Sequence, residues 1–224
     1  MFIMKNYLQT ECLLFLFFSF LFFPLVSYAE EGQSTLPALS DVPVKTEQEV
    51  TESEAPNRVS LRNAYRNLSA VQVEAIPHKS IRKWKKWGFY GSSTLKRDYE
   101  EKTINGERVV IEHTTGLMWH QSGSKSHTKW ENAKKWVEDL NSKGYAGYQD
   151  WRLPTVDEAV SLLQADKKSN NLYIVPIFDK NQLYIWTGDG FLKHAAWVVS
   201  FRSALTTWSE VKYRNYVRPV RTIK

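Results

Sequence analysis

Cysteine is almost absent from this sequence, since Cys12 is the only one among 224 residues. A single cysteine cannot form an internal disulfide, so the fold must be stabilised by a packed core. The sequence also lacks a Gly-x-Ser-x-Gly nucleophile elbow, a His-Glu-x-x-His zinc motif and a phosphate-binding glycine loop. These absences predict a protein without enzymatic activity and without a bound cofactor.

Residues 1–29 predict a secretory signal peptide. Lys5 supplies the positive charge, Leu13 to Phe23 form the apolar region, and Ser27-Tyr28-Ala29 places small residues where a signal peptidase cleaves. The apolar region is shorter than the roughly 20 residues that span a bilayer. We therefore expect export to the periplasm, the cell surface or the medium, with no transmembrane span after cleavage. An uncleaved N-terminal anchor is the alternative.

Aromatic residues are scarce between positions 30 and 56, where seven acidic residues stand against a single Lys45. A segment this acidic and this poor in apolar side chains predicts a disordered leader. From residue 57 onward the balance reverses, with 28 Lys and Arg against 16 Asp and Glu, a formal net charge of +12. The 168 residues from 57 to 224 are enough for one sizeable core.

Two aromatic motifs organise the rest of the chain, and three more follow them. They are Thr115-Gly116-Leu117-Met118-Trp119, Asp150-Trp151-Arg152-Leu153-Pro154-Thr155, Tyr184-Ile185-Trp186-Thr187, Ala196-Trp197-Val198-Val199 and Tyr216-Val217-Arg218-Pro219-Val220-Arg221. Together they resemble the Lcl C-terminal-domain family, which includes the C-terminal domain of a bacterial collagen-like adhesin, over about Gly106 to Arg221. The resemblance implies a C-type-lectin-like fold, which is α+β with two helices and a meandering antiparallel sheet.

Three capping-box patterns predict where helices begin. Ser69 to Gln72 opens a short helix ended by Pro77, Thr128 to Glu131 opens a helix to about Asn141, and Thr155 to Glu158 opens a helix to about Gln164. In the second helix the apolar residues recur at spacings of three and four, as on one helical face. Those residues are Trp130, Ala133, Val137 and Leu140.

Strands are expected between and after these helices, at 108–111, 117–119, 151–153, 183–186, 195–201, 206–209 and 216–222. Gly116 suits the turn between the first two strands, because it tolerates positive φ. Residues 57–105 are predicted as a basic, helical and irregular N-terminal extension. It is either integral to the domain at 106–224 or a separate small element.

The motif Asp150-Trp151-Arg152-Leu153-Pro154-Thr155 is predicted to be structural, with Pro154 ending a strand and Thr155 capping the helix that follows. Trp119, Trp151, Trp186 and Trp197 are predicted in the core, and Arg152 is expected to pair with Asp150 or with a carboxylate elsewhere.

Candidate metal ligands are poorly arranged for a shared site. His113, His120 and His127 recur every seven residues, but strand, turn and loop spacing does not bring them to one face. Asp150, Asp179 and Asp189 suggest calcium, yet the calcium-binding tripeptides of sugar-binding C-type lectins are missing. We therefore predict no metal.

Basic side chains interleaved with aromatic ones form the candidate binding site. One cluster lies between Lys79 and Trp87, and a second contains Lys212, Arg214, Arg218, Arg221 and Lys224. Cations attract polyanions, and aromatic faces stack on sugar rings. The predicted ligand-binding residues are Lys83, Trp84, Lys85, Lys86, Trp87, Arg218 and Arg221. The alternative is a solvated basic surface on which Trp84 and Trp87 simply pack.

These features predict an exported, non-catalytic binding module that recognises glycans or other polyanions. The collagen-like adhesin binds sulfated glycosaminoglycans through this domain, so the resemblance implies sulfated or anionic glycans as partners. Nucleic acid fits the charge but not export, and it is not expected. The collagen Gly-x-y repeat is absent from this chain, so the resemblance gives no oligomeric state. The alternative function is a protein–protein interaction module of an envelope complex.

Overall fold

The computed structural model describes residues 58–224. The predicted signal peptide and the predicted acidic leader lie outside the described residues. Within 58–224, no helix combines the length and the apolar character needed to cross a membrane.

The described chain has an α+β fold with short helices and two antiparallel sheets. Its α-helices are α1 Ala70–Glu74, α2 Trp130–Ser142 and α3 Val156–Ser161, and a 3-10 helix covers Tyr145–Gly147. Its strands are β1 Lys79–Lys85, β2 Gly88–Ser93, β3 Tyr99–Ile104, β4 Glu107–Glu112, β5 Leu117–His120, β6 Tyr184–Phe191, β7 Ala195–Ser200, β8 Leu205–Glu210 and β9 Val220–Thr222. The α+β prediction is confirmed, although the strands form two sheets where one was expected.

The two sheets have different strand orders. The five-stranded sheet has the order β1-β2-β8-β7-β6, and the four-stranded sheet has the order β3-β4-β5-β9. The strand predicted at 151–153 is reduced to a single bridge between Arg152 and Val220. Pro154 follows at once and has no N–H to extend a ladder.

The N-terminal extension contributes strands to both sheets. Beyond α1, the prediction of an irregular segment is wrong, because β2 pairs with β8 and β3 pairs with β4. Phe89 of β2 is fully buried and belongs to the main core cluster. The extension is therefore built into the same sheets as the rest of the chain. In β1, the register against β2 shifts between Ile81 and Lys83, which is a β-bulge.

Two of the three predicted capping boxes are present, at Ser69 and at Thr155. The prediction at Thr128 is wrong, because α2 begins after Lys129 with no side-chain cap. Both backbone groups of Thr128 are already bonded to Asn215, at 2.8 and 3.0 Å. Thr128 thus stays in an extended bridge, and tertiary pairing overrides the local capping pattern.

The predicted tryptophan core is confirmed. Trp119, Trp186 and Trp197 are fully buried, and Trp151 is 2% exposed. Three of these indoles donate to backbone carbonyls far away in sequence or across a turn, which satisfies their N–H groups inside the core. The acceptors are Thr128 for Trp186 at 2.8 Å, Leu68 for Trp197 at 3.0 Å and Tyr145 for Trp151 at 3.0 Å.

Buried ion pairs link elements that the sequence keeps apart. Arg62 contacts both Asp157 and Asp189. Arg152 pairs with Glu158 through two hydrogen bonds, of 2.7 and 2.6 Å. Of the two predicted partners, Asp150 or a carboxylate elsewhere, the second is therefore the one found. The fully buried Glu158 also closes the Thr155 capping box.

Candidate functional site

The first basic cluster lies on β1, an outer strand of the five-stranded sheet. Lys83 and Lys85 are two residues apart, so they project from the same side of the strand. Trp84 projects from the other side and stacks on Phe89, with ring centroids 6.4 Å apart and planes 16° apart. The strand therefore separates the lysines from Trp84.

Beside the lysines is a groove of about 540 Å³, which we call the basic groove. Its charged and aromatic lining residues are Arg82, Lys83, Lys85, Trp87, Tyr90 and Tyr173. The Arg82 guanidinium lies 5.2 Å from the centre of the Tyr173 ring, and Trp87 meets Tyr90 edge-on at 6.3 Å. No carboxylate side chain lines the groove. The bulge in β1 brings Arg82 to the same lining as Lys83.

The groove cations are not neutralised by carboxylates. Among the described residues, Arg82, Lys83 and Lys85 form no ion pair, whereas Arg62, Arg152 and Arg221 each do. Their charge is therefore available to a ligand. Trp87 is 39% exposed at the same place.

Not every member of the predicted cluster lies at the groove. Lys86 and Trp84 are exposed neighbours that do not line it. Lys79 turns to the C-terminal end of α1 and donates to the carbonyls of Glu74 and Ile76. There it satisfies the Glu74 carbonyl, which has no partner within the helix, and the Ile76 carbonyl just beyond the helix end. Burial lowers the pKa of Lys79.

Arg218 was predicted to bind ligand, and this is wrong because its side chain is fully buried. It donates to the carbonyls of Gln121 and His120, to that of Asp179 at 3.0 Å, and to the Gln182 side chain at 2.8 Å. Burial lowers the pKa of Arg218 to about 9, which still leaves it charged at neutral pH. Arg218 is a structural residue that ties its own segment to residues 120–121 and 179–182.

Arg221 is also too buried to bind a ligand at the surface, since only 5% of the residue is exposed. Its Nε donates to Asp150 at 2.6 Å, and its guanidinium lies 3.7 Å from the centre of the Tyr148 ring. The hydrogen bond from Arg221 lowers the pKa of Asp150. Lys212 in turn pairs with Glu210 at 2.7 Å. The predicted C-terminal cluster is therefore not a single basic surface.

The three histidines have separate environments. His113 contacts Glu100 at 3.2 Å, His120 stacks on Tyr145, and the His127 ring lies 5.6 Å from that of Tyr216. Within residues 58–224, no group of three or more His, Cys, Asp or Glu side chains is arranged to hold a metal ion.

A second cavity, which sequence reasoning missed, lies between α2 and the ends of β4 and β5. We call it the polar pocket, and its volume is about 580 Å³. Its lining includes Arg108, His120, the loop 122–126, Asn132, Trp136 and Tyr145. The only sequence signal for it was the run of small polar residues Ser122-Gly123-Ser124 between a strand and a helix. Arg218, buried behind this wall, holds the carbonyl of His120.

Burial sets the protonation state of His120 in this pocket. The residue is 8% exposed, and burial, with a smaller contribution from the Arg218 charge, lowers the pKa of His120 to about 4. The neutral ring accepts a hydrogen bond at Nδ1 from the Gly123 N–H at 2.9 Å. Its proton therefore lies on Nε2.

Comparison with known proteins identifies the family. The model of the Lcl C-terminal domain matches residues 108–221, about half of the chain. This chain therefore belongs to the Lcl C-terminal domain family. Comparisons with curated proteins and with solved structures found no match. The C-type-lectin-like arrangement stays a prediction.

The residues that match the family model form most of one cavity and little of the other. Most of the polar pocket lies within residues 108–221, whereas the basic groove is formed mainly by β1 and β2, which precede the match. Family membership alone therefore carries no information about the groove, whose chemistry has to be argued from its own residues.

Proposed function

We propose that this chain is an exported, non-catalytic binding module that recognises sulfated or other anionic glycans through the basic groove. The observation that carries the proposal is the lining of that groove. Three cations without carboxylate partners and three aromatic rings share one concave surface. Export is supported by the signal-peptide pattern of residues 1–29.

The charges and the rings have different roles in this proposal. Lys83, Lys85 and Arg82 attract sulfate or carboxylate groups, and this attraction weakens as salt screens it. Trp87 and Tyr90 offer apolar faces with polar edges, which suit the mixed surface of a sugar ring. Each exposed ion pair contributes only about 0.2–1 kcal/mol, so a polymer that engages several cations at once is favoured over a small anion.

The test is heparin binding by the mature chain, measured over a salt series. The variant Lys83→Gln/Lys85→Gln removes two groove charges and leaves β1 and its neighbours intact. We expect its affinity to fall about tenfold and its salt dependence to become shallower, since two ion pairs are lost. The melting temperature should stay unchanged, because neither lysine forms an ion pair within the described residues.

The matched control is Lys135→Gln/Lys143→Gln, which removes the same charge from exposed positions at α2. An equal loss of affinity in both variants would show that net charge, and not the groove, attracts the polymer. If the unaltered chain binds no heparin even at low salt, the proposal is wrong. A protein partner recovered at high salt would then support the interaction-module alternative.

A further inference from the structure

The polar pocket has the volume of a small-molecule site. Its volume of about 580 Å³ lies inside the range of roughly 300–1,000 Å³ that is usual for such sites. It is bounded by β4 and β5, which pair within one sheet, and by helix α2, which buries Ala133, Val137 and Leu140 against the core. The site is therefore already formed in the free protein, which reduces the entropy cost of binding.

Three aromatic side chains form one wall of the pocket. The rings of His120 and Tyr145 stack with centroids 4.2 Å apart and planes 12° apart. Trp136 of α2 is half-buried, and its ring lies 5.9 Å from that of His120. Such a wall offers flat apolar area next to polar ring edges, which is the surface that the C–H face of a sugar ring contacts.

The rest of the lining is rich in hydrogen-bonding groups. Ser122, Ser126 and Asn132 supply hydroxyl and amide groups. The backbone N–H groups of Lys125 and Ser126 donate to no acceptor within the described residues, nor does Nε2 of His120. These donors can satisfy several hydroxyl oxygens of one ligand.

The charges in the pocket nearly cancel, unlike those of the basic groove. Arg108 is engaged by Glu101, with its Nε 2.8 Å from the carboxylate. The Glu107 carboxylate offsets the Lys125 ammonium, and both line the pocket. An anionic ligand gains little here, so an uncharged one is favoured.

Arg218 holds the wall of the polar pocket in place. Its guanidinium binds the carbonyls of His120 and Gln121 and the side chain of Gln182. Gln182 in turn donates to the carbonyl of Ser124, at 2.9 Å, and so fixes the loop that forms the pocket rim. Arg218 is a positioning residue for this pocket.

We propose that the polar pocket binds an uncharged, hydroxyl-rich ring, one or two sugar units in size, with the ring lying against Trp136. The pocket differs from the basic groove in its residues, its charge and its ligand. It therefore does not depend on the function proposed above.

The experiment uses the mature chain and four probes: the methyl glycosides of glucose, galactose, mannose and N-acetylglucosamine. Saturation-transfer NMR followed by titration should show saturable binding of at least one glycoside at about millimolar concentration, as expected for a ligand of few atoms. Binding should be unchanged in about 0.5 M salt, because no net charge is involved.

Two pocket variants and one control locate the site. Trp136→Ala removes the aromatic surface and Asn132→Ala removes one exposed amide, and each should weaken glycoside binding, the first at least about tenfold. Lys135→Ala, on the same helix but outside the lining, should bind as the unaltered chain does. If Trp136→Ala loses its fold, as shown by its melting curve, the exposed Asn132→Ala variant decides the question.

The outcomes separate this proposal from the previous one. Absence of binding by all four glycosides overturns it, as does binding that survives in the folded pocket variants or that disappears in high salt. The groove variant Lys83→Gln/Lys85→Gln should keep its glycoside binding while its heparin binding falls. Loss of both together would place the sugar in the groove and not in the pocket.

Discussion

Arg62 and Asp189 are 127 positions apart and are joined by two hydrogen bonds, from Nη1 to Oδ1 at 2.8 Å and from Nη2 to Oδ2 at 2.7 Å. The Asp189 side chain is fully buried and also accepts from the backbone N–H groups of Arg66 and Val156. One carboxylate thus joins the N-terminal segment, the first turn of α3 and β6.

Replacing Arg62 with Met should strongly destabilise the fold. The change leaves Asp157 and Asp189 buried without their cation, and breaking a buried pair in this way costs about 3–5 kcal/mol. Urea unfolding measures the loss. The control is Arg66→Met, whose exposed side chain forms no ion pair within residues 58–224, and which should shift stability by less than about 0.5 kcal/mol. Equal stability of the two variants would contradict the structural role of the Arg62 pair.

Replacing Gly188 with Ala should displace the ring of Tyr65, which is 45% exposed and lies directly over position 188. A Cβ at position 188 would lie 2.1 Å from a ring carbon of Tyr65, whose hydroxyl donates to the Leu153 carbonyl at 3.0 Å. We expect a loss of about 1–3 kcal/mol, as for overpacking elsewhere. The double variant with Tyr65→Ala should lose less than the sum of the two single changes, because the clash is then removed. Simple additivity would show that the two residues are not in contact.

The stability of the fold should depend on pH through His120. Its pKa is about 4 in the folded chain against 6.5 ordinarily, so between these values the unfolded state binds the extra proton. Stability is therefore retained above pH 6.5 and lost as pH falls towards 4, by at most about 3 kcal/mol. Below pH 4 this residue adds no further dependence.

Urea unfolding at a series of pH values measures this contribution. In His120→Gln the pH dependence that comes from residue 120 should disappear, so the free energy of unfolding should change less between pH 4 and 6.5. The exposed His194 provides the control, since His194→Gln should leave the original curve unchanged. A curve of the same shape in the His120 variant would mean that burial does not hold this imidazole neutral.

Local sequence patterns predicted those parts of the fold that local chemistry decides. The capping boxes at Ser69 and Thr155 and the buried tryptophans follow from side-chain chemistry within a few residues. Thr128 carried the same capping pattern, but its backbone is bonded to Asn215, which lies 87 positions later in the sequence. No local pattern contains that partner.

The candidate site shows the same contrast between what neighbouring residues decide and what distant residues decide. Lys83 and Arg218 are both basic residues in aromatic surroundings, yet one lines a groove and the other is fully buried. Burial of Arg218 depends on carbonyls and an amide from two separate segments, 120–121 and 179–182, which only the folded chain brings together. The polar pocket was missed for the same reason, because its aromatic wall comes from β5, α2 and Tyr145.

β1 is an edge strand of its sheet and contains a bulge, and both features affect self-association. Within the described residues, one side of this strand has no partner strand, and such an edge can serve as a template on which another copy of the chain adds its own strand. Lysines and a bulge are the features that prevent such growth. The cations that we assign to glycan recognition therefore also protect the protein from aggregation, and selection for solubility and selection for binding would preserve the same side chains.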